Sequence, residues 1–513
     1  MFLANIPFRT AQIYGDSPAF ADETREFCWR ESLERIRRLA GALSTRASGS
    51  RVAILAQNSI EYVEMSFAAA IAGVPFVPMN TRLAPAEYRQ LLATAAPSII
   101  MTDRDFAPLV RELLPDLPSV REVVTWGMDG EVIPYEDFIT AKAIDPVPCA
   151  DADDWAIIFT GGTTGLPKGV RVTRGGMAFN VQHILRDLDW GSQPRFLQLT
   201  PMFHLAALGP GLAVAAWGGR QFVARRFELE SMLEIMHRER IHSVALVPTM
   251  IAWLVGHERL DRYDLSALRG IGYGASAIHL PVLRKALDLF PGLHFNQFYG
   301  QTEASGGLST LVASDHQPDA PTSHRLRSAG RPLIGARVGI FDSEGNSLPN
   351  GATGEVCAQT PGLFAGYLGN DEATRAALRD GWLRTGDVGH MDDDGYLYIT
   401  DRIKDMIVTG GENVSSSEVE SAIAAHPAVA QVAVVAAPDP LWGERIHAFI
   451  ELREGAFASE AEIAGHCREL IAAYKCPKSM TIGTEPLPLS SVGKIKKDVL
   501  RARLLDQDAI AAA

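Results

Sequence analysis

From its first hundred residues onward, the chain alternates short apolar runs with longer apolar or amphipathic stretches. The run RVAILAQN predicts a strand, SIEYVEMSFAAAIAG a buried helix, and VPFVPMN, APAEYRQLLATAA and PSIIMTD a strand, a helix and a strand. This order is typical of parallel sheets whose strands are joined through helices. The same order recurs between RFLQLT and HFNQFYG, so we expect mainly parallel sheets flanked by helices throughout this part.

After about Arg331 the pattern changes to shorter strands separated by turn residues. The pairs Glu-Gly, Asn-Gly and Asp-Gly in this part favour hairpin turns and predict a small β-barrel-like region. Beyond Asp401 a compact α+β pattern begins with the strand DMIVTGG and the helix SSEVESAIAAH. We therefore predict an α/β fold with a large N-terminal domain over 1–400, a linking segment at 401–404 and a small C-terminal domain over 405–513.

Length, charge and cysteine content narrow the class of protein. A chain of 513 residues exceeds one ordinary core, which also favours several domains. The net charge of −13 disfavours a nucleic-acid or anionic-membrane binder. The five cysteines are scattered, so a disulfide framework or a zinc site is not expected and a reducing compartment fits best.

No targeting or membrane-spanning segment is predicted. The N-terminus lacks the basic start and sustained apolar run of a signal peptide. The longest apolar stretches, Met65–Met79 and Leu205–Gly218, are too short or too interrupted to cross a bilayer and are interpreted as core helices. We expect a cytoplasmic protein whose last residues, QDAIAAA, form a loose tail.

The stretch IIFTGGTTGLPKGV combines an apolar run with a loop rich in glycine, threonine and lysine. Glycines let backbone N–H groups approach an anion closely, and Thr163, Thr164 and Lys168 add hydroxyl donors and a charge. A glycine-rich turn without a ligand is the alternative. The spacing excludes a Walker A loop, because Pro167 precedes Lys168 and Gly169 follows it.

The segment TGGTTGLPKG resembles the signature loop of the adenylate-forming superfamily, which contains acyl-CoA synthetases, luciferases and non-ribosomal adenylation domains. Its usual second residue is serine, whereas this chain has Gly161. The resemblance implies that the loop holds the phosphates of ATP. The residues it assigns to that role are Thr160, Gly161, Gly162, Thr163, Thr164, Gly165 and Lys168.

Further motifs follow in the order of the superfamily. PMFHLAALG resembles the motif that lines the acyl pocket, GYGAS the loop between the acyl and adenine sites, and YGQTEA the motif at adenine, α-phosphate and Mg²⁺. The acyl pocket is then assigned to Phe203, His204, Gly272, Gly300 and Ala304. The nucleotide is assigned to Gly274, Ala275, Tyr299, Gly300, Gln301 and Thr302, and Mg²⁺ to Glu303, because hard cations prefer oxygen ligands.

The longest similarity runs from Gly381 to Glu420. It implies that Asp387 binds the ribose hydroxyls, that Arg402 holds the ribose or phosphate side, and that Lys404 lies at the hinge of a mobile C-terminal domain. Gly410 and Gly411 would line the path of CoA, and Ser416 replaces a proline that many members carry. Near the C-terminus, PLPLSSVGKIKKDVL resembles the segment with the catalytic lysine, which assigns that role to Lys494.

Together these motifs imply a two-step carboxylate–CoA ligase that uses ATP, Mg²⁺ and CoA. The catalytic group would comprise Lys494, Glu303, Lys168, Thr302 and His204. Because His204 stands where amino-acid adenylation domains carry an aspartate, an apolar or aromatic monocarboxylic acid, medium-chain fatty or aryl, is the expected substrate. Two alternatives remain: an adenylating enzyme with another acceptor, such as a carrier-protein ligase or luciferase-like oxidase, and a non-catalytic nucleotide-binding regulator. A homodimer is compatible with the CoA ligase and with both alternatives.

Overall fold

A computed structural model describes residues 2–127, 132–160, 167–188, 190–409, 412–439, 442–490 and 493–512. Helices and strands alternate through most of this length. In chain order the helices are α1 (Phe2–Tyr14), α2 (Trp29–Arg46), α3 (Ile60–Ala72), α4 (Pro85–Ala95), α5 (Ala107–Leu113), α6 (Tyr135–Phe138), α7 (Arg174–Asp187), α8 (Leu205–Ala216), α9 (Leu229–Arg238), α10 (Pro248–Gly256), α11 (Leu280–Leu289), α12 (Asp371–Ala377), α13 (Ser416–Ala424), α14 (Glu460–Leu470) and α15 (Lys497–Ala512).

The strands of the large N-terminal domain precede those of the small domain. In chain order the strands are β1 (Pro18–Ala21), β2 (Glu26–Cys28), β3 (Val52–Leu55), β4 (Phe76–Pro78), β5 (Ile99–Asp103), β6 (Glu122–Trp126), β7 (Ile133–Pro134), β8 (Asp154–Thr160), β9 (Lys168–Thr173), β10 (Arg195–Gln198), β11 (Arg220–Val223), β12 (Ser243–Leu246), β13 (Gly270–Gly274), β14 (His294–Tyr299), β15 (Ser309–Leu311), β16 (Arg331–Pro332), β17 (Arg337–Phe341), β18 (Gly354–Gln359), β19 (Leu378–Arg379), β20 (Trp382–Met391), β21 (Leu397–Arg402), β22 (Ile407–Thr409), β23 (Glu412–Val414), β24 (Val429–Asp439), β25 (Gly443–Leu452) and β26 (Ser479–Gly483).

Two large sheets form the N-terminal domain, as the alternating pattern predicts. One has seven strands in the order β7-β6-β5-β3-β4-β8-β9, and every pair is parallel except β8 with β9. The other has nine strands in the order β16-β15-β14-β13-β12-β10-β11-β1-β2, with parallel pairing from β1 through β14 and antiparallel pairing at both edges. The carboxyl ends of such parallel strands are where open α/β sheets bind ligands.

Helices α1, α2, α3, α7 and α8 contact one another in the core that joins these sheets. Every residue of α3 is buried, since most of its sequence is apolar and its two glutamates, Glu61 and Glu64, are paired with Arg25 and Arg35. The helix begins at Ser59, whose hydroxyl accepts a hydrogen bond from the Tyr62 N–H, and ends at Gly73 in the left-handed region with φ of 66°. Local signals therefore set both ends of this central helix.

The remaining strands form two smaller sheets. Strands β17 to β21 build a five-stranded antiparallel sheet, which confirms the small β-barrel-like part, with Gly395 at φ of 80° in the turn that joins β20 to β21. Strands β22 to β26 form a second five-stranded sheet with α13, α14 and α15 around it. The predicted fold class is confirmed: a large domain of mainly parallel sheets and a separate small α+β domain.

Two local expectations were wrong. Helix α15 continues to Ala512, so residues 507–512 are helical rather than a loose tail. The alanine-rich sequence has high helix propensity, and burial of Leu500 and Leu504 anchors the preceding turns. The stretch Met65–Met79 is not one helix, because α3 ends at the left-handed Gly73 and β4 follows. No helix in the described ranges combines the length and the apolarity that a bilayer crossing requires.

Candidate active site

The glycine-rich loop connects two antiparallel neighbours of the seven-stranded sheet. Thr160 ends β8 and Lys168 begins β9, and these two residues are paired across the ladder. The residues between them that were assigned to phosphate, Gly161, Gly162, Thr163, Thr164 and Gly165, lie outside the described residues. The Lys168 ammonium lies 5.0 Å from the ring centroid of Tyr367, which holds this cation at the end of the sheet.

Glu303 lies in a short 3₁₀ turn, Thr302–Ala304, that follows β14. Its side chain accepts a hydrogen bond of 2.9 Å from the Tyr367 hydroxyl at Oε1, and its backbone carbonyl accepts one from the Phe364 N–H. Burial raises the pKa of Tyr367, and the neighbouring Glu303 carboxylate raises it further. The phenol therefore keeps its proton and orients the carboxylate.

Glu303 fits magnesium as a single protein ligand. Across the part of the chain that the structure describes, no group of three or more His, Cys, Asp or Glu side chains could hold a metal ion. Mg²⁺ commonly takes one or two carboxylates and completes its shell with phosphate oxygens and water. A buried carboxylate that shares the contact residue Tyr367 with Lys168 suits such a substrate-bound ion.

Tyr299, Asp387 and Arg402 meet where the nine-stranded sheet contacts the β-barrel-like part. The Tyr299 hydroxyl donates to Oδ2 of Asp387 at 2.7 Å, and Nε of Arg402 lies 3.1 Å from Oδ1 of the same carboxylate. Strands β20 and β21 pair Asp387 directly with Arg402. Both oxygens of Asp387 are thus fixed, and burial followed by the charge of Asp387 raises the pKa of Tyr299 well above its usual value.

The glycines of the GYGAS and YGQTEA motifs permit close approach of backbone. A Cβ at Gly274 would lie 2.3 Å from the Phe298 carbonyl oxygen, and one at Gly300 would lie 2.3 Å from that of Gly306. Ala275 has φ of 70°, a strained value for a residue with a side chain. Gln301 carries a buried Nε2 that has no hydrogen-bond partner among the described groups, so this amide remains able to donate to a ligand.

His204 immediately precedes α8, and its ring centroid lies 4.3 Å from that of the buried Phe203. Burial lowers the pKa of His204 to about 3, with smaller effects from the positive charges of Lys494 and Arg82. The imidazole is therefore neutral at pH 7. A lysine of the small domain and an arginine of the large domain therefore both lie within electrostatic range of His204.

Lys494 reaches the large domain from the loop between β26 and α15. Burial, together with the positive charges of Arg402 and Lys404, lowers the pKa of its amine to about 8, whereas Asp387 acts in the opposite direction. The structure therefore brings Lys494, Asp387, Arg402, Lys404 and His204 within electrostatic reach of one another. They lie in different motifs and two domains.

Some assigned residues are placed less favourably for contact with a ligand. Ala304 is fully buried in the main core, and Gly410 and Gly411 lie outside the described residues. Gly272 has only the rings of Trp190 and Phe298 near its missing Cβ, at 3.7 and 3.8 Å. The two aromatic rings therefore line this position at van der Waals distance.

Two residues that the sequence analysis did not single out support the site. Tyr367 contacts both Lys168 and Glu303, and Asn180 of α7 donates a hydrogen bond of 2.6 Å to the Ser305 carbonyl. Neither belongs to a motif that we recognised. Their pairing with the site depends on contacts over long sequence separations, so no local signal pointed to them.

Comparison with known proteins places this geometry in context. The family model described as AMP-binding enzyme matches residues 8–368, and that described as AMP-binding enzyme C-terminal domain matches residues 418–494. A medium/long-chain-fatty-acid–CoA ligase of Mycobacterium tuberculosis is 35% identical over 495 residues, covering 92% of this chain and 84% of that protein. A feruloyl-CoA synthase of an Amycolatopsis species is 33% identical over 507 residues, covering 98% and 99%.

Solved structures match over the same extent. The anthranilate–CoA ligase AuaEII in complex with anthranoyl-AMP superposes with a TM-score of 0.90 at 26% identity, covering 98% of this chain and 97% of that one. The amide bond synthetase McbA of Marinactinospora thermotolerans superposes with a TM-score of 0.87 at 28% identity, covering 98% and 99%. Proteins with different final acceptors thus share this arrangement of two domains.

Proposed function

Because this chain belongs to the family of AMP-binding enzymes, we propose that it is an ATP-dependent carboxylate–CoA ligase. It joins an acid to AMP with release of pyrophosphate, and then transfers the acyl group to CoA with release of AMP. The observation that carries this proposal is the position of Lys494, which is held against the large domain by the Thr249–Gly493 hydrogen bond and lies within electrostatic range of Asp387 and Arg402. A cytoplasmic location accords with this chemistry.

The first step must overcome the repulsion between a carboxylate and a triphosphate. Lys494, Lys168 and Arg402 supply positive charge, and preorganised charge of this kind usually contributes more to catalysis than any other single effect. Asp387 suits the ribose hydroxyls, because its fixed oxygens retain acceptor capacity. Glu303 would hold Mg²⁺, which neutralises phosphate charge when bound.

The second step needs Lys494 to leave and a thiol to enter. The proposed pivot is residues 401–404, between a large domain over 1–400 and a small one over 405–513. The Thr400 carbonyl accepts hydrogen bonds from the Ser415 and Ser417 hydroxyls at 2.7 and 2.6 Å. Rotation about Lys404 would exchange these bonds for others, while Gly410 and Gly411 would give CoA close access to backbone.

The acid is an apolar or aromatic monocarboxylic acid, medium-chain fatty or aryl. Phe203 and Leu205 are buried beside a neutral His204, and Trp190 and Phe298 line the position of Gly272. Two cations, Lys494 and Arg82, face His204, so a substrate carboxylate meets positive potential there. This setting favours a carboxylate with an uncharged tail over an amino acid.

A panel of fatty and aryl acids with ATP, Mg²⁺ and CoA tests the proposal. AMP release should require both an acid and CoA, and acyl-CoA should accumulate in equal amount. Pyrophosphate exchange without CoA should follow the same order of acids. Absence of both activities across the panel would overturn the proposal.

The strongest alternative is an adenylating enzyme whose acceptor is not CoA. The structural likeness to an amide bond synthetase supports this alternative. In that case acid-dependent pyrophosphate exchange would proceed normally, but CoA would not increase AMP release. An amine or a carrier-protein thiol added in place of CoA would then restore turnover.

A further inference from the structure

The loop that carries Lys494 is held by two residues on opposite sides of the cleft. The Thr249 hydroxyl donates a hydrogen bond of 2.6 Å to the Gly493 carbonyl, across 244 residues of sequence. Nη1 of Arg82 donates one of 3.4 Å to the Ser490 carbonyl, across 408 residues. The two acceptors lie immediately before Lys494 and four residues earlier.

The two donors lie next to strands of different sheets, one on a helix and the other in a turn. Thr249 lies in the first turn of α10, directly after β12 of the nine-stranded sheet. Arg82 follows β4 of the seven-stranded sheet, in a turn where its N–H donates to Oδ1 of Asn80 and the Tyr88 hydroxyl donates to the Asn80 carbonyl. Thr249 is positioned by its helix, which holds a group more accurately than a loop does, and the turn that carries Arg82 is held by these two hydrogen bonds.

The loop itself is shaped to receive these contacts. Ser490 N–H donates to the Lys494 carbonyl at 2.6 Å, and the Lys494 N–H donates to Oγ of Ser490 at 3.0 Å. Gly493 has φ of 72°, and a Cβ there would lie 3.4 Å from Oγ1 of Thr249. A side chain at this position would be strained by the positive φ and would contact the donor.

We propose that Thr249 and Arg82 are positioning residues for the adenylation step, acting as a clamp that seats the Lys494 loop against the cleft. The inference rests on the proposed function. Because both bonds join the two domains, they exist only while Lys494 is inserted and must break before the acceptor thiol reaches the acyl-adenylate. The clamp therefore favours the first half-reaction and contributes nothing to the second.

Thr249→Val removes the hydroxyl at nearly constant volume and should slow acid-dependent pyrophosphate exchange by roughly 5- to 100-fold, the usual effect of an unmade hydrogen bond at a half-buried acceptor. Conversion of supplied acyl-adenylate and CoA to acyl-CoA should stay within about twofold of the wild type, which is the range for changes away from the reacting atoms. Arg82→Met should act in the same direction with a smaller effect. Thr249→Ser, which keeps the donor, should restore exchange.

Thr94→Val is the matched control, since it removes a threonine hydroxyl from the exposed part of α4 and should change neither half-reaction. Gly493→Ala tests the clamp from the loop side and should selectively slow exchange even if Thr249→Val fails to fold. Equal losses in both half-reactions, or unchanged exchange in Thr249→Val and Gly493→Ala, would overturn the clamp. Failure of the proposed function is distinguishable, because the wild type itself would then lack acid-dependent exchange.

Discussion

The Tyr299 hydroxyl donates a 2.7 Å hydrogen bond to Oδ2 of Asp387, although 88 residues separate them. This bond joins the YGQTEA motif to the β-barrel-like sheet and fixes the carboxylate that we assign to the ribose. Tyr299→Phe should raise the KM for ATP by about 10-fold, the effect of losing a hydrogen bond to a charged group. Asp387→Ala should raise it further, because Arg402 then loses its partner as well.

Initial-rate kinetics at saturating acid and CoA measure this effect. Tyr396→Phe is the matched control, because it breaks a Tyr–Asp hydrogen bond of 2.8 Å with Asp315 outside the candidate site. An unchanged KM in Tyr299→Phe would contradict the assignment.

Lys494→Ala should abolish adenylate formation while leaving the second half-reaction intact. Loss of one group that stabilises developing charge lowers kcat by about 10²- to 10³-fold. Pyrophosphate exchange and the conversion of supplied acyl-adenylate measure the two steps separately. Lys496→Ala, a change at an exposed neighbour, should behave like the wild type. Normal exchange in Lys494→Ala would show that the lysine is misassigned.

The depressed pKa of Lys494 predicts a falling limb in the pH profile of adenylation. Burial lowers this pKa from 10.5 to about 8, so the amine loses its charge as the pH rises through about 8. Since the charged form is required, kcat/KM for ATP in pyrophosphate exchange should decline above that pH. Arg402→Gln should move the midpoint upward by removing a cation, and Asp387→Asn should move it downward. Shifts in the opposite directions would refute this electrostatic account.

The hydrogen bond between Tyr367 and Glu303 predicts how the activity depends on the Mg²⁺ concentration. Glu303→Gln should raise the Mg²⁺ concentration for half-maximal activity by about 10-fold or more, because a neutral amide is a poor ligand for a hard cation. Tyr367→Phe should raise it severalfold, since the carboxylate loses its orienting hydroxyl. Tyr263→Phe breaks an exposed Tyr–Glu bond with Glu230 and should leave the Mg²⁺ titration unchanged. Identical titrations for all three variants would contradict the role of Glu303.

Lys404→Pro should impair thioester formation more than adenylation. Proline fixes φ and restricts the residue before it, so rotation about this segment is hindered. Lys404→Ala removes the charge without this restriction and serves as the control. The two half-reactions, assayed separately, provide the measurement, and equal losses in both would argue against a pivot at this residue.

Much of the fold and the motif chemistry could be predicted because both depend on short, continuous segments of sequence. Apolar periodicity predicts α3 between β3 and β4, and Gly73 marks the end of that helix. The order of the phosphate loop, the YGQTEA segment and the Lys494 segment identified the family without a structure. Local propensity was misjudged in the last turns of α15, where the composition resembled disorder, and in Met65–Met79, where one apolar stretch spans a helix and a strand.

The amino-acid sequence by itself determined the residue types of the site, because the covalent structure of a carboxylate, a lysine or a glycine fixes its donors, acceptors and backbone freedom wherever it lies in the fold. Only the tertiary structure decided which of them meet. Tyr367 joins Glu303 across 64 residues, and Thr249 joins Gly493 across 244. Burial and the approach of other charges, which together depress the pKa of Lys494, arise only when distant segments exclude water together.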